Sequence, residues 1–416
     1  MKLFKTAVSA ALAAAVSLSA QAAEVEVLHW WTSGGEAASA AELKKMLEAR
    51  GHTWKDFAVA GGGGESAMTV LKTRVVSGNP PTAAQIKGPS IQEWGDEGVL
   101  ANLDPVAEAE DWDGMLPEVV SDVMKYDDQY VAVPVNVHRV NWMWANPAVF
   151  EKAGAEIPTT WDEFFTAADK IKAAGFTALA HGGQPWQDAT TFETVVLGTG
   201  GAEFFNKAFV DLDAGALTSD TMIQSLETFR KTRDYTDAGA AGRDWNLATA
   251  MVINGEAAMQ FMGDWAKGEF TAAGKEPGKD YVCTAAPGTG DAFTFNIDSF
   301  VMFALDGDDA GEGQAALAST ILSPEFQEVF NLNKGSIPAR LNLPMDKFDD
   351  CAKLSSNDFV KTADAGTLVP SMAHGMSTFS SVQGAIYDVV TEFYNDASIS
   401  AEAAAEKMLS AVQSAQ

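Results

Sequence analysis

Two adjacent indoles, Trp30 and Trp31, stand just ahead of a carboxylate, Glu36, in the run EVEVLHWWTSGGE. An aromatic ring offers an apolar platform and a carboxylate accepts from hydroxyl groups. Together they suit a solute with an apolar C–H face and a rim of hydroxyls, as a sugar has. The plainer reading is two packed tryptophans and a solvated glutamate, and this stretch by itself weighs the two evenly. What must position the three residues is the alternation before them. Val25, Val27 and His29 against Glu26 and Leu28 predict a short strand, and Gly34-Gly35 predict a turn that opens a helix. In open α/β sheets, ligands gather beyond the carboxyl ends of strands, where Trp30 and Trp31 fall. Successive side chains on a strand point to opposite faces, so both indoles cannot enter one core. At least one is therefore expected to line a cleft.

Residues 1–22 read as a secretory signal: Lys2 and Lys5, a short alanine-rich apolar run, then Ala20-Gln21-Ala22 as an A-x-A cleavage site. No later stretch reaches the roughly 18 uninterrupted apolar residues of a membrane span. The formal net charge is −29, and removal of Lys2 and Lys5 would take it to −31. Such a chain repels nucleic acid and anionic membranes and gives anionic solutes no long-range help, so a neutral ligand fits better. The two cysteines, Cys283 and Cys351, read as one disulfide in an oxidising compartment, with two buried thiols as the alternative. No CxxC or Cys/His cluster supports a metal site, and no cofactor is implied.

Along the chain, strands are expected at 57–60, 83–86, 178–180, 257–261 and 296–304, with a hairpin and strand over 126–135. Helices are expected at 42–50, 160–174, 219–237 and 401–412, with a further helix opened by Ser323-Pro324 and closed at Lys334-Gly335. The alternation predicts an α/β fold with mainly parallel sheets, and the length predicts two of them. Gly61 to Gly64 follow a strand, but neither GxxxxGK[ST] nor a properly placed G-x-G-x-x-G occurs, so they are read as a turn or a close backbone approach. Trp142, Trp144, Trp161 and Trp186 are read as core or rim, and His29, His52, His138 and His181 as structural. Lys334 has nearly as good an explanation as a cation favoured at a helix C-terminus.

Three stretches carry a resemblance: the strand ending in HWWTSGGE; YDDQYVAVPVNVHRVNWMWANPAVFEKAG with IPTTWDEF; and MVINGEAAMQFMGDW with LSPEFQEVFNLNKGSIPAR. In this order the chain resembles the periplasmic substrate-binding proteins of bacterial sugar ABC transporters. Trp30-Trp31 with Glu36, Lys87, Asp298, Lys334 and His374 is similar to their glucose-binding subgroup. The resemblance implies a two-lobe periplasmic binding protein fold with hinge segments near 135–136, 294–296 and 336–339. Lobe one would hold 23–135 plus 296–336, and lobe two 137–294 plus 338–416. It implies that Trp31 stacks on a pyranose beside Trp30 and that Trp265 covers the ring. Glu36 and Asp298 would accept from hydroxyls, Lys87, Lys334 and His374 would donate, and Asn136, Gln184 and Asn296 would add amide contacts. It further implies a monomer that captures a monosaccharide, glucose first, and meets the permease subunits of an importer, with a chemoreceptor as an optional partner. The rival class is an exported glycosidase using Glu36, Asp298 or Asp264. A binder of longer glucans is the second rival.

Overall fold

The computed structural model describes residues 22–416; the expected signal segment lies outside the described residues apart from Ala22. Thirteen strands are present among the described residues. They are β1 (Glu24–His29), β2 (Thr53–Ala58), β3 (Ala83–Ile86), β4 (Lys125–Tyr126), β5 (Gln129–Tyr130), β6 (Ala132–Arg139), β7 (Trp142–Ala145), β8 (Thr177–Leu179), β9 (Ala257–Phe261), β10 (Val282–Ala285), β11 (Phe293–Met302), β12 (Ile337–Pro338) and β13 (Leu368–Pro370). The larger sheet runs β12-β6-β11-β3-β1-β2, with β13 also paired to β11; the smaller runs β10-β7-β9-β8. β4 and β5 form the expected hairpin.

The sheets are mixed, which corrects the expectation of mainly parallel ones. β1 pairs in parallel with β2 and β3, but β11 pairs antiparallel with both β3 and β6. The reason is that β6 carries the chain away from the first sheet and β11 brings it back, so the two must run in opposite directions. Both are buried along their whole length.

Two hydrophobic cores result. One gathers β1, β3, β6 and β11 around Leu28, Ile86, Val137 and Phe300; the other gathers β7 and β9 around Trp144, Phe192, Met259 and Phe270. The chain passes between them from Val137 to Val140 and from Ala292 to Phe293. The third change is gradual: in the helix Asp350–Ala365, Cys351 packs in the second core, while Ala352 and Phe359 pack in the first. Cys283 on β10 and Cys351 are joined. Closing a loop of this length stabilises the native state by about 4 kcal/mol on the chain-entropy account.

Local sequence explains the helices that reach the cleft. The helix Gly34–Ala49 opens at Gly34-Gly35 as expected, and the helical spacing expected over 42–50 is its second half. Gly35 has to be glycine there: a Cβ would lie 2.9 Å from the Gly268 backbone, on the second core's side. The helix Trp161–Ala173 has its Thr160/Glu163 capping box, and the helix Pro324–Lys334 has Ser323 as N-cap and Gly335 as a left-handed C-cap at φ +95°. The helix Pro185–Phe209 was not expected; its first half is buried on all sides. Among the described residues no helix is long and apolar enough to cross a membrane.

Candidate functional site

A cavity of about 370 Å³ opens between the two cores. Ten of the eleven residues expected to touch ligand line it: Trp30, Trp31, Glu36, Lys87, Gln184, Trp265, Asn296, Asp298, Lys334 and His374. Asn136 does not.

One wall comes from the first core. Ser33 caps the helix Gly34–Ala49, and Glu36 reaches back from its first turn to accept from the Ser33 N–H at 3.4 Å. The other Glu36 oxygen accepts from Lys334 Nζ at 2.7 Å, so two residues expected to act separately form one buried ion pair. The Lys334 ammonium also lies 5.8 Å from the centre of the Trp31 ring. The indoles divide as strand alternation requires. Trp31 is 2% exposed and packs on Phe300 and Phe330 with ring centres 5.4 and 5.1 Å away. Trp30 is half-buried and lies against Lys87, whose ammonium is 5.3 Å from its ring centre. Trp30, rather than Trp31, thus has the more open indole.

β6 and β11 form the floor. His138 lies between two carboxylates: Nδ1 meets Asp264 Oδ1, and Nε2 is 3.0 Å from Asp298 Oδ2. Burial opposes charge on the imidazole, but Asp264 and then Asp298 override it and raise its pKa. Burial would likewise raise Asp298, yet His138, Lys334 and Lys87 hold it far below the usual carboxylate range. Lys87 is lowered by burial and by Lys334, against the pull of Asp298 and Glu36.

The register of β11 slips against β6 between Asp298 and Ser299, and such bulges re-aim side chains beside binding sites. Asn136 holds this bulge: its Oδ1 accepts from Asp298 N at 3.3 Å and its Nδ2 donates to Ser336 Oγ at 2.8 Å. Asn136, expected as a direct contact, is not on the cavity lining. The amide is fully buried behind the floor, with Nδ2 also 3.0 Å from His138 Nε2.

The opposite wall comes from the second core. Trp265, at the start of the helix Ala266–Ala272, has its ring centre 4.9 Å from that of His374 and 6.5 Å from that of Trp186. Gln184 lines the cavity, but its amide is committed. Oε1 accepts from Trp186 Nε1 at 2.8 Å and Gln187 Nε2 at 2.9 Å, while Nε2 donates to Asp244 at 2.7 Å. Its work is to fix Trp186. Asp244, Trp245 and Asn246 extend the rim.

The glycine loop spans the gap between the walls. Gly63 and Gly64 have φ of +60° and +113°, and added Cβ atoms would press on Trp186 at 3.2 Å and on Trp30 at 3.1 Å. Farther out, each side caps a helix of the other. Glu269 accepts from the Gly35 N–H at 3.0 Å, at the start of the helix Gly34–Ala49. Glu93 accepts from the Ser380 N–H at 3.0 Å, at the start of the helix Ser380–Asn395.

Bacterial extracellular solute-binding proteins match this chain over residues 34–317. The chain belongs to this family. Among its relatives, a probable sugar-binding periplasmic protein of Brucella suis is 52% identical over 391 residues, covering 94% of this chain and 92% of that protein. One of the same description from Rhizobium meliloti is 50% identical over the full length of both. A solved chitin oligosaccharide binding protein superposes with a TM-score of 0.80 at 20% identity, over 95% of this chain and 99% of that one, and so shares the two-lobe fold.

A solute-binding protein holds its cargo without changing it, and the carboxylates fit that. A glycosidase acid needs a raised pKa, whereas Asp298 is held down and Glu36 is ion-paired. Asp264 is turned to His138 and to the Arg139 N–H. Among the described residues no acidic, histidine or cysteine cluster could hold a metal ion. Sequence reasoning missed His138, set aside as structural, and Trp186, set aside as core or rim. The available signals were the alternation of His138 with Asn136 on one strand and the place of Trp186 in the turn after Gly182-Gly183.

Proposed function

We propose that this solute-binding protein captures a neutral monosaccharide, glucose first, in the periplasm and hands it to the permease subunits of an ABC importer. The observation that carries this reading is a set of buried polar atoms without partners on lining residues: Trp31 Nε1, Ser33 Oγ, Asn296 Oδ1 and His374 Nε2. Buried polar groups are nearly always bonded, so four on one aromatic cavity suit a ligand rich in hydroxyls. Charge supports neutrality. Glu36, Asp244 and Asp298 balance Lys87, Lys334 and protonated His138 on the lining, and Asp264 behind them adds a negative charge. The volume is at the small end of the ~300–1,000 Å³ usual for ligand sites, which favours a short sugar over a long glucan. The names of the Brucella and Rhizobium relatives agree with a sugar as cargo and with the periplasm as its place; cleavage near Ala22 belongs to the same reading.

In this reading lobe one, 23–135 and 296–336, carries most of the first core, with Val137, Phe293, Ala352 and Phe359 packing into it from the other segments. Lobe two, 137–294 and 338–416, carries the second, and the monomer closes about β6, β11 and the β12 segment. Calorimetric titration of the purified protein with glucose, galactose, mannose, xylose, maltose and glucuronate tests it. Binding of a neutral monosaccharide, with glucuronate much weaker, is expected. A flat response to all six rejects the reading, and tightest binding to maltose rejects the monosaccharide.

A further inference from the structure

Behind His374 lies a chain of groups that the binding site does not touch. Glu193, on the helix Pro185–Phe209, is 1% exposed. Its Oε1 accepts from Ser371 Oγ at 2.7 Å and its Oε2 from the Ala373 N–H at 3.0 Å. Ser371 Oγ is also 2.9 Å from His374 Nδ1. A hydroxyl has one proton. Given to the carboxylate, it leaves Ser371 able only to accept from His374, so the imidazole proton must reside on Nδ1. Burial, and next the charges of Lys87 and His138, hold His374 well below its usual pKa, so the ring is neutral and has a single N–H. Nε2 then carries the lone pair, and it is the buried, unpartnered nitrogen of a residue that lines the cavity.

We propose that Glu193, acting through Ser371, sets His374 as a hydrogen-bond acceptor toward a ligand hydroxyl, reversing the donor role expected of it. Glu193 and Ser371 are positioning residues that make the site demand an O–H at one place on the ring. The proposal rests on the sugar-binding reading for its ligand but not for its geometry. A sugar carrying fluorine in place of that hydroxyl still accepts but no longer donates, so it meets the Nε2 lone pair with no proton to share.

Nitrogen-15 NMR of histidine-labelled, sugar-free protein in alkaline buffer, where Glu193 is ionised, tests the geometry directly. His374→Gln identifies the His374 signals. The expected spectrum has Nδ1 protonated and Nε2 bare. In Ser371→Ala the Nε2–H form should appear, whereas Glu193→Gln, which keeps an acceptor for Ser371, should retain the original form. A protonated Nε2 in the wild-type protein overturns the proposal even if no variant folds. Titration with the monodeoxy and monodeoxyfluoro forms of glucose adds the ligand arm. At one ring position fluorine should weaken binding about tenfold more than hydrogen does, and His374→Gln should erase that difference. Equal losses at every position overturn the proposal. If no sugar binds while the wild-type spectrum is as expected, the sugar reading fails and the tautomer assignment stands.

Discussion

The two walls of the cavity solve opposite problems. The first-core side carries two buried ion pairs, Glu36 with Lys334 and Asp298 with His138. The second-core wall carries indole faces, with the Gln184 amide consumed in holding Trp186, and a single unpartnered nitrogen, His374 Nε2. A charged group bonded to a neutral hydroxyl makes a stronger bond than a neutral pair, so the first wall is suited to reading hydroxyl positions. A ring face gives contact area whatever the sugar's configuration, so the second is suited to covering any pyranose. The lesson is that most of the hydroxyl reading and most of the contact area can lie on different surfaces, with His374 as the one reader on the second.

The largest expected effect tests where Trp31 belongs. Packed on Phe300 and Phe330, it is a core block with an edge at the site, and Trp31→Ala should cost about 3–5 kcal/mol of stability in a denaturant titration. A loss of affinity at unchanged stability would return it to the role of a stacking platform. Next comes the ion pair. Lys334→Met leaves Glu36 buried and unanswered and should destabilise by about 3 kcal/mol. Adding Glu36→Gln should restore the melting temperature but not sugar binding, and a double variant that binds normally would remove the pair from recognition.

The third effect concerns the neutrality of the second wall. Glu193 is pushed up to about 7 by burial, against the bonds from Ala373, Ser371 and Met372. Unfolded, it titrates near its ordinary value of 4.5. Between those values the native state holds a proton that the unfolded state has released, so this group's contribution falls as pH rises from 4.5 to 7. Glu193→Gln should therefore gain on the wild type from pH 5 to pH 8, by no more than about 3 kcal/mol. A stability difference that does not change with pH would show that Glu193 is solvated. The smallest effect separates the walls themselves. Trp265→Ala should weaken glucose, galactose and mannose by similar factors, on the order of 2 kcal/mol. Glu36→Gln should instead reorder the three. Calorimetry on both variants decides, and uniform scaling in both would mean that the walls do not divide the work.

Much of this was legible because it is local. Strand alternation from Val25 to His29 placed the indoles, β3 and β9 fall at their expected residues, and Ser323 with Pro324 opened its helix. The helix Pro185–Phe209 was not legible. From Trp186 to Leu197 every residue is buried, so no amphipathic period exists, and Asp188, Thr190, Thr191 and Glu193 give that run the polarity of a surface. The bonds that matter most at the site were invisible for another reason. Glu36 and Lys334 lie 298 residues apart, and the Asn136 contact depends on a slip of register between two strands. Both residue sets were named in advance; what joins them is tertiary.

The exchanged caps at the rim bear on time rather than on choice. Glu269 and Glu93 each seat a carboxylate on a helix start belonging to the other side, where backbone N–H groups and the helix dipole favour negative charge. Neither glutamate is on the cavity lining. Their bonds exist only while the two sides are together, so they favour the closed arrangement equally for every cargo. Dwell time then becomes a property of the rim: Glu269→Ala should hasten release of all bound sugars by one common factor in stopped-flow chase experiments, leaving their ranking untouched. The same clasp can thus be slackened or tightened to match how fast cargo must be surrendered, with no change to what is recognised.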